Sequence, residues 1–130
     1  MMIDQKDWIW HGFAGHYCCG SSCHFRLCTE IGKIVVSTVG ALPNKIKIGD
    51  HPYQEIGLDR KFETMVFKVI DHCKDDGCNC NQPEIDPYDI DFLSYNNALE
   101  AREGHMKLCM KWASMDGLPQ EIGLNNRERT

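Results

Sequence analysis

The chain has 130 residues, 42% of them hydrophobic and 25% charged, which is enough apolar content for one core and too much for wholesale disorder. A formal net charge of −5 with no Lys/Arg run argues against a general nucleic-acid coat or a binder of anionic membranes. No apolar run approaches the roughly 18 residues of a transmembrane helix, and MMIDQKDW lacks the apolar stretch of a secretory signal, so one cytoplasmic domain over 1–130 is expected.

In chain order, the aromatic WIW of residues 8 to 10 reads as an edge strand or an exposed anchor. HGFAGHYCCGSSCHFRLC, residues 11 to 28, follows with three histidines and four cysteines. Two β-rich runs, 23 to 29 and 34 to 39, flank Glu30-Ile31-Gly32-Lys33 and predict a hairpin, with Gly32 available for positive φ. Alternation there puts Phe25 and Leu27 on one face, and His24, Arg26 and Cys28 on the other. Residues 40 to 60 are punctuated by Gly and Pro and read as a loop. FETMVFKVI, 62 to 70, predicts a third strand, and the turn-dense, polar stretch from 72 to 87 predicts a loop. From Ser94 to Ser114 the pattern predicts one amphipathic helix ending before Gly117. Its expected buried seam is Ala98, Arg102, His105, Cys109 and Trp112, widened by Leu99 and Met106. Gly104 in mid-helix costs about 1 kcal/mol against Ala, which suggests a close backbone approach. The fold class expected is α+β: a small antiparallel sheet of three or more strands packed on one long C-terminal helix and stapled by zinc.

Eight cysteines is a high count for a reducing compartment, where clustered thiols read as metal ligands or reactive groups before disulfides. Zinc takes four tetrahedral nitrogen and sulfur ligands. His105 and Cys109, one helical turn apart, supply two; Cys18 and Cys23, flanking Gly20-Ser21-Ser22, supply two more, with His16 as a substitute. A second cluster, His72, Cys73, Cys78 and Cys80, lies in a polar loop that a metal would order, either as its own site or as part of a shared one. Cys19 and Cys28 are spare.

Other chemistries draw on overlapping residues. His11 and His16 near Cys18 suggest a Cys/His nucleophile, although no orienting carboxylate is evident. For an enzyme, His24, Arg26 and Glu63 are the candidate catalytic groups. Arg26, Arg102, His24 and Ser37 suggest a pocket for a phosphorylated ligand, because guanidinium groups grip phosphate bidentately.

The ordered motifs HGFAGHYCC, CHFRLCTEIGKIVVSTVG, IGLDRKFETMVFKV and YNNALEAREGHMKLCMKWA resemble small uncharacterised proteins encoded by tailed bacteriophages. His16, Cys18, Cys23, Arg26, Ser37, Glu63, His105 and Cys109 fall within these motifs, while Cys73, Cys78 and Cys80 fall outside. The resemblance implies phage origin and the cytoplasm of an infected host. The expectation is an accessory protein with structural zinc that binds a host or host-defence component. Its alternatives are an enzyme or sponge for a phosphorylated small molecule such as a nucleotide immune signal, and a zinc-dependent nucleic-acid module.

Overall fold

A tight turn at Gly32-Lys33 organises the sheet. Gly32 adopts φ +58°, a conformation that costs glycine little, and pairing proceeds outward from Ile31↔Ile34 to Phe25↔Gly40. The computed structural model describes residues 3–12, 22–43, 52–53, 55–56 and 60–115. After a single 3-10 turn at Gln5–Asp7 come β1 (Ile9–His11), β2 (Phe25–Ile31), β3 (Ile34–Gly40), β4 (Phe62–His72), β5 (Pro83–Tyr95) and α1 (Ala98–Ser114). The strands make one five-stranded antiparallel sheet in sequential order, and the helix packs on one of its faces. The α+β architecture is therefore as the sequence predicts.

Several boundaries differ from the expected ones. The first hairpin strand starts and ends two residues later than expected and the second ends one residue later, because the turn needs only Gly32 and Lys33. The third predicted strand extends to His72. The stretch predicted as loop from 72 to 87 contains the start of β5, thirteen residues long and paired to β4 with register shifts between Val66 and Asp71. WIW contributes Ile9 and Trp10 to an edge strand, with both side chains about half exposed.

The helix starts at Ala98 rather than Ser94, since Ser94 and Tyr95 pair with Glu63 and Phe62 in the ladder. Asn97 caps it: its side-chain oxygen accepts the Glu100 amide at 2.9 Å, satisfying one of the orphan donors of the first turn. The buried stripe is Ala101, Gly104, His105, Leu108, Cys109, Trp112 and Ala113. Ala98 and Arg102 of the expected seam are exposed, as is Leu99. His105, Cys109 and Trp112 of the expected seam are buried, and the stripe extends from them toward Ala101, Gly104 and Leu108 rather than toward Ala98 and Arg102.

The core between helix and sheet joins Ile31, Ile34, Val36 and Val66 to Leu108, Cys109, Trp112 and Ala113, with Trp8 and Ile90 completing it. Each fully buried aliphatic side chain contributes about 1.5–3 kcal/mol. Trp112 Nε1 donates to Asp91 Oδ2 at 3.0 Å, which satisfies the one polar atom of this buried ring. Cys28, Val35, Phe67 and Ile85 form a second cluster on the face away from α1. Gly104 has a packing reason. A Cβ there would lie 2.1 Å from the Tyr95 ring, so only glycine lets helix and strand approach this closely.

Candidate metal centre

Three cysteines meet at the tip of the β4–β5 connection. The ladder continues one pair past β4, as the Cys73 amide donates to the Gln82 carbonyl at 2.8 Å. A turn then closes through Cys78 N–H to Asp75 O at 3.0 Å, with Gly77 at φ +79° and Asn81 at φ +51°. Cys73 therefore comes from the outgoing arm, Cys78 from the turn and Cys80 from the returning arm. Their sulfurs all lie within 4.8 Å of one another, and Cys78 and Cys80 are 3.2 Å apart. A tetrahedral ion with metal–sulfur bonds of about 2.3 Å would set its sulfurs roughly 3.8 Å apart, so the spacing fits. These three thiols can hold a metal ion.

Their protonation is graded. The Asp75 backbone amide favours the Cys73 thiolate, but the neighbouring Cys80 and Cys78 sulfurs outweigh it and push Cys73 up to about 11. Cys80 is held below its usual value by the Gln82 amide and then by hydrogen bonds from Cys78 and Cys73. Three thiolates this close repel one another, and a bound cation offsets that repulsion.

His72, expected as part of this cluster, is turned elsewhere. Its Nε2 lies 2.6 Å from Glu30 Oε2, and His11 Nε2 lies 2.9 Å from Glu30 Oε1. One buried carboxylate is thus bracketed by two imidazoles, on the sheet face away from α1. The sequence reading treats Glu30 as a turn residue. Its role depends on three strands meeting: β1 places His11 opposite Cys28, and the irregular far end of β4 carries His72 across to β2.

The other expected zinc set divides differently. Cys18 and its substitute His16 lie outside the described residues, as does Cys19. Among the described residues, Cys23, His105 and Cys109 do not gather into a ligand group; Cys73, Cys78 and Cys80 do. Both ring nitrogens of the fully buried His105 are already engaged, Nε2 with Thr29 Oγ1 at 2.8 Å and Nδ1 with Thr38 Oγ1 at 2.6 Å. Thr38 continues to Thr64 at 2.6 Å, and Thr64 to the Tyr95 hydroxyl at 3.0 Å. Thr29 also hydrogen-bonds Cys109. A neutral imidazole donates through one nitrogen and accepts through the other, so the chain can run in either polarity with both ring nitrogens satisfied. Burial holds His105 in that neutral form by pushing it down to about 4, and pushes the Cys109 thiol up to about 12. The pair one turn apart on α1 is thus a hydroxyl-bonded core element, with cysteine as a protonated filler.

The residues expected around a phosphorylated ligand do not share one pocket. Ser37 is buried on the face away from α1, where its register partners are Cys28 and Met65, whereas Arg102 is exposed on α1 itself. The sheet lies between them. Arg26 and Glu63 do lie on the same face, in one row with Val39 between them; Arg26 is exposed and Glu63 buried. His24 is exposed ahead of β2, its ring edge-on to Tyr53 at 6.0 Å.

Among the described residues no helix is long and apolar enough to cross a membrane. No family model, curated protein or solved structure matches this chain.

Proposed function

We propose that this chain is a zinc-bound accessory protein of phage type that acts by binding a host or host-defence component. The single observation that carries the reading is the convergence of Cys73, Cys78 and Cys80 within 4.8 Å on one hairpin tip. Zinc is the ion of choice because three thiolates suit its borderline-soft character and a structural site needs no redox chemistry. The ten residues between β4 and β5 have almost no apolar side chains to bury, so ion binding would supply their ordering free energy.

The arms below that tip favour a binding role over catalysis. Ile70 on β4 and Tyr88 on β5 are 65% and 68% exposed, the most exposed large hydrophobic side chains among the described residues. An ion at the tip would hold both arms in one geometry and lower the ordering cost on docking.

Two measurements test this. Protein purified without added metal is expected to carry about one zinc per chain, and less than about half an equivalent sinks the structural-zinc reading. Affinity capture from infected or uninfected host extract is expected to retain a component with the wild-type chain and lose it with Cys78→Ser. Retention of nothing by either protein defeats the binding reading.

A further inference from the structure

Three accessible thiols within bonding distance of one rearrangement are a redox-active arrangement as well as a ligand set. Cys78 and Cys80 are exposed and Cys73 is half-buried, and all three sulfurs already lie within 4.8 Å. A disulfide needs only that two of them close to about 2 Å with Cα atoms about 4.4–6.8 Å apart. Cys73 and Cys80 lie on opposing arms of the hairpin, which are already joined by the hydrogen bond from the Cys73 amide to the Gln82 carbonyl, two residues past Cys80. Cys78 and Cys80, separated by one residue, would close a cramped ring. The described cysteines elsewhere, Cys23, Cys28 and Cys109, are buried and shielded from any reagent.

We propose that the tip is a thiol–disulfide exchange site whose substrate is a low-molecular-weight disulfide of the glutathione class, and that oxidation joins Cys73 to Cys80 or Cys78. The thiolate of an exposed cysteine, Cys78 or Cys80, attacks one sulfur of the small disulfide. The small disulfide's S–S bond breaks, and one small thiolate leaves and takes up a proton. The protein now carries a mixed disulfide. Cys73 then gives up its proton and attacks the protein sulfur of that mixed disulfide, expelling the second small thiolate, which is protonated in turn. Two protein thiols are oxidised to one disulfide, and one small disulfide is reduced to two thiols. The half-buried position of Cys73 suits the resolving role, and the exposed pair suits the first attack.

The site shares its sulfurs with the zinc reading but does not depend on the ion. Once two sulfurs are joined, one thiol remains and no metal site is left, so metal loading and oxidation exclude each other.

The experiment uses the full chain, stripped of metal under reducing conditions and exchanged into glutathione disulfide. Remaining thiols are alkylated and the protein is digested for mass analysis. The expected result is loss of two alkylatable thiols from the cluster and a peptide linking Cys73 to Cys78 or Cys80. Cys73→Ser is expected to stop at a glutathione adduct on the exposed pair. Full alkylation of all three cysteines with no adduct overturns the proposal, as does an adduct on the wild-type chain that never resolves or a linkage to a cysteine outside the cluster. A parallel sample incubated with zinc is expected to retain all three thiols for longer, and equal oxidation in both samples overturns the exclusion. If the chain binds no zinc, the metal reading fails while the metal-free arm still decides this one.

Discussion

At the scale of single residues, His105 shows how little a residue type says until its partners are known. An imidazole one turn from a cysteine suggests a metal ligand, yet two threonine hydroxyls hold both of its nitrogens. This makes its protonation a stability term. The unfolded chain takes up a proton on this histidine near pH 6.5, whereas the folded chain does so only near 4 because burial penalises the charge. Between those values the unfolded state binds more protons, so stability rises with pH. The contribution is complete above about pH 6.5 and lost as pH falls toward 4, about 3 kcal/mol in all. Urea unfolding at pH 7.5 and 4.5 should therefore show a larger loss for wild type than for His105→Gln; equal losses would refute this role. Gly104 makes the second residue-level prediction. Alanine gains about 1 kcal/mol of helix propensity but drives a Cβ into the Tyr95 ring, and overpacking costs about 1–3 kcal/mol. Gly104→Ala is expected to be destabilising on balance by denaturant unfolding, and a stabilised variant would show that the ring moves aside freely.

At the scale of elements, β5 is the instructive omission. PEIDPYDIDFLSY carries two prolines and four acidic residues, a composition that argues against a strand in the middle of a sheet. But among the described residues β5 is an edge strand, paired only with β4. There a missing amide can face solvent, and acidic side chains deter further pairing with another chain. Whether a segment is an edge or a centre depends on the topology, which local composition does not contain. The same applies to the helix start: Ser94 and Tyr95 fit a helix by pattern, and the β4 ladder claims them first. The hairpin also carries a prediction of its own. Tyr88→Ala truncates a ring that is 68% exposed, so stability should change by no more than about 1 kcal/mol and zinc content should hold while partner affinity falls. If it is a central contact, the loss is about 2 kcal/mol or more, roughly 30-fold in Kd. Unchanged affinity in a titration would remove Tyr88 from the binding surface.

At the scale of the whole molecule, the cysteine tip and the packed body are distinct parts of the fold. The helix–sheet core does not draw on Cys73, Cys78 or Cys80. Cys78→Ser is therefore expected to drop bound zinc well below one equivalent while leaving the thermal midpoint within about 4 °C of wild type. Hydrogen exchange should accelerate only across the hairpin tip. A collapse of the whole fold would instead make the ion a global staple, as the sequence suggests when it pairs Cys18 and Cys23 with the helix.

By itself the sequence determined the hairpin around Gly32, the strand after Phe62 and the C-terminal helix, and it marked Cys73, Cys78 and Cys80, with His72, as the second of two candidate metal sets. These are signals of local period, turn chemistry and short spacing, all of which lie within a few residues of one another. Only the tertiary structure decided that His105 bonds threonines from two strands, that His72 and His11 bracket Glu30, and that Ser37 and Arg102 lie on opposite sides of a sheet. Each of these depends on strand pairing between distant segments. One step of register reverses the face a side chain occupies, so no local pattern could have settled them.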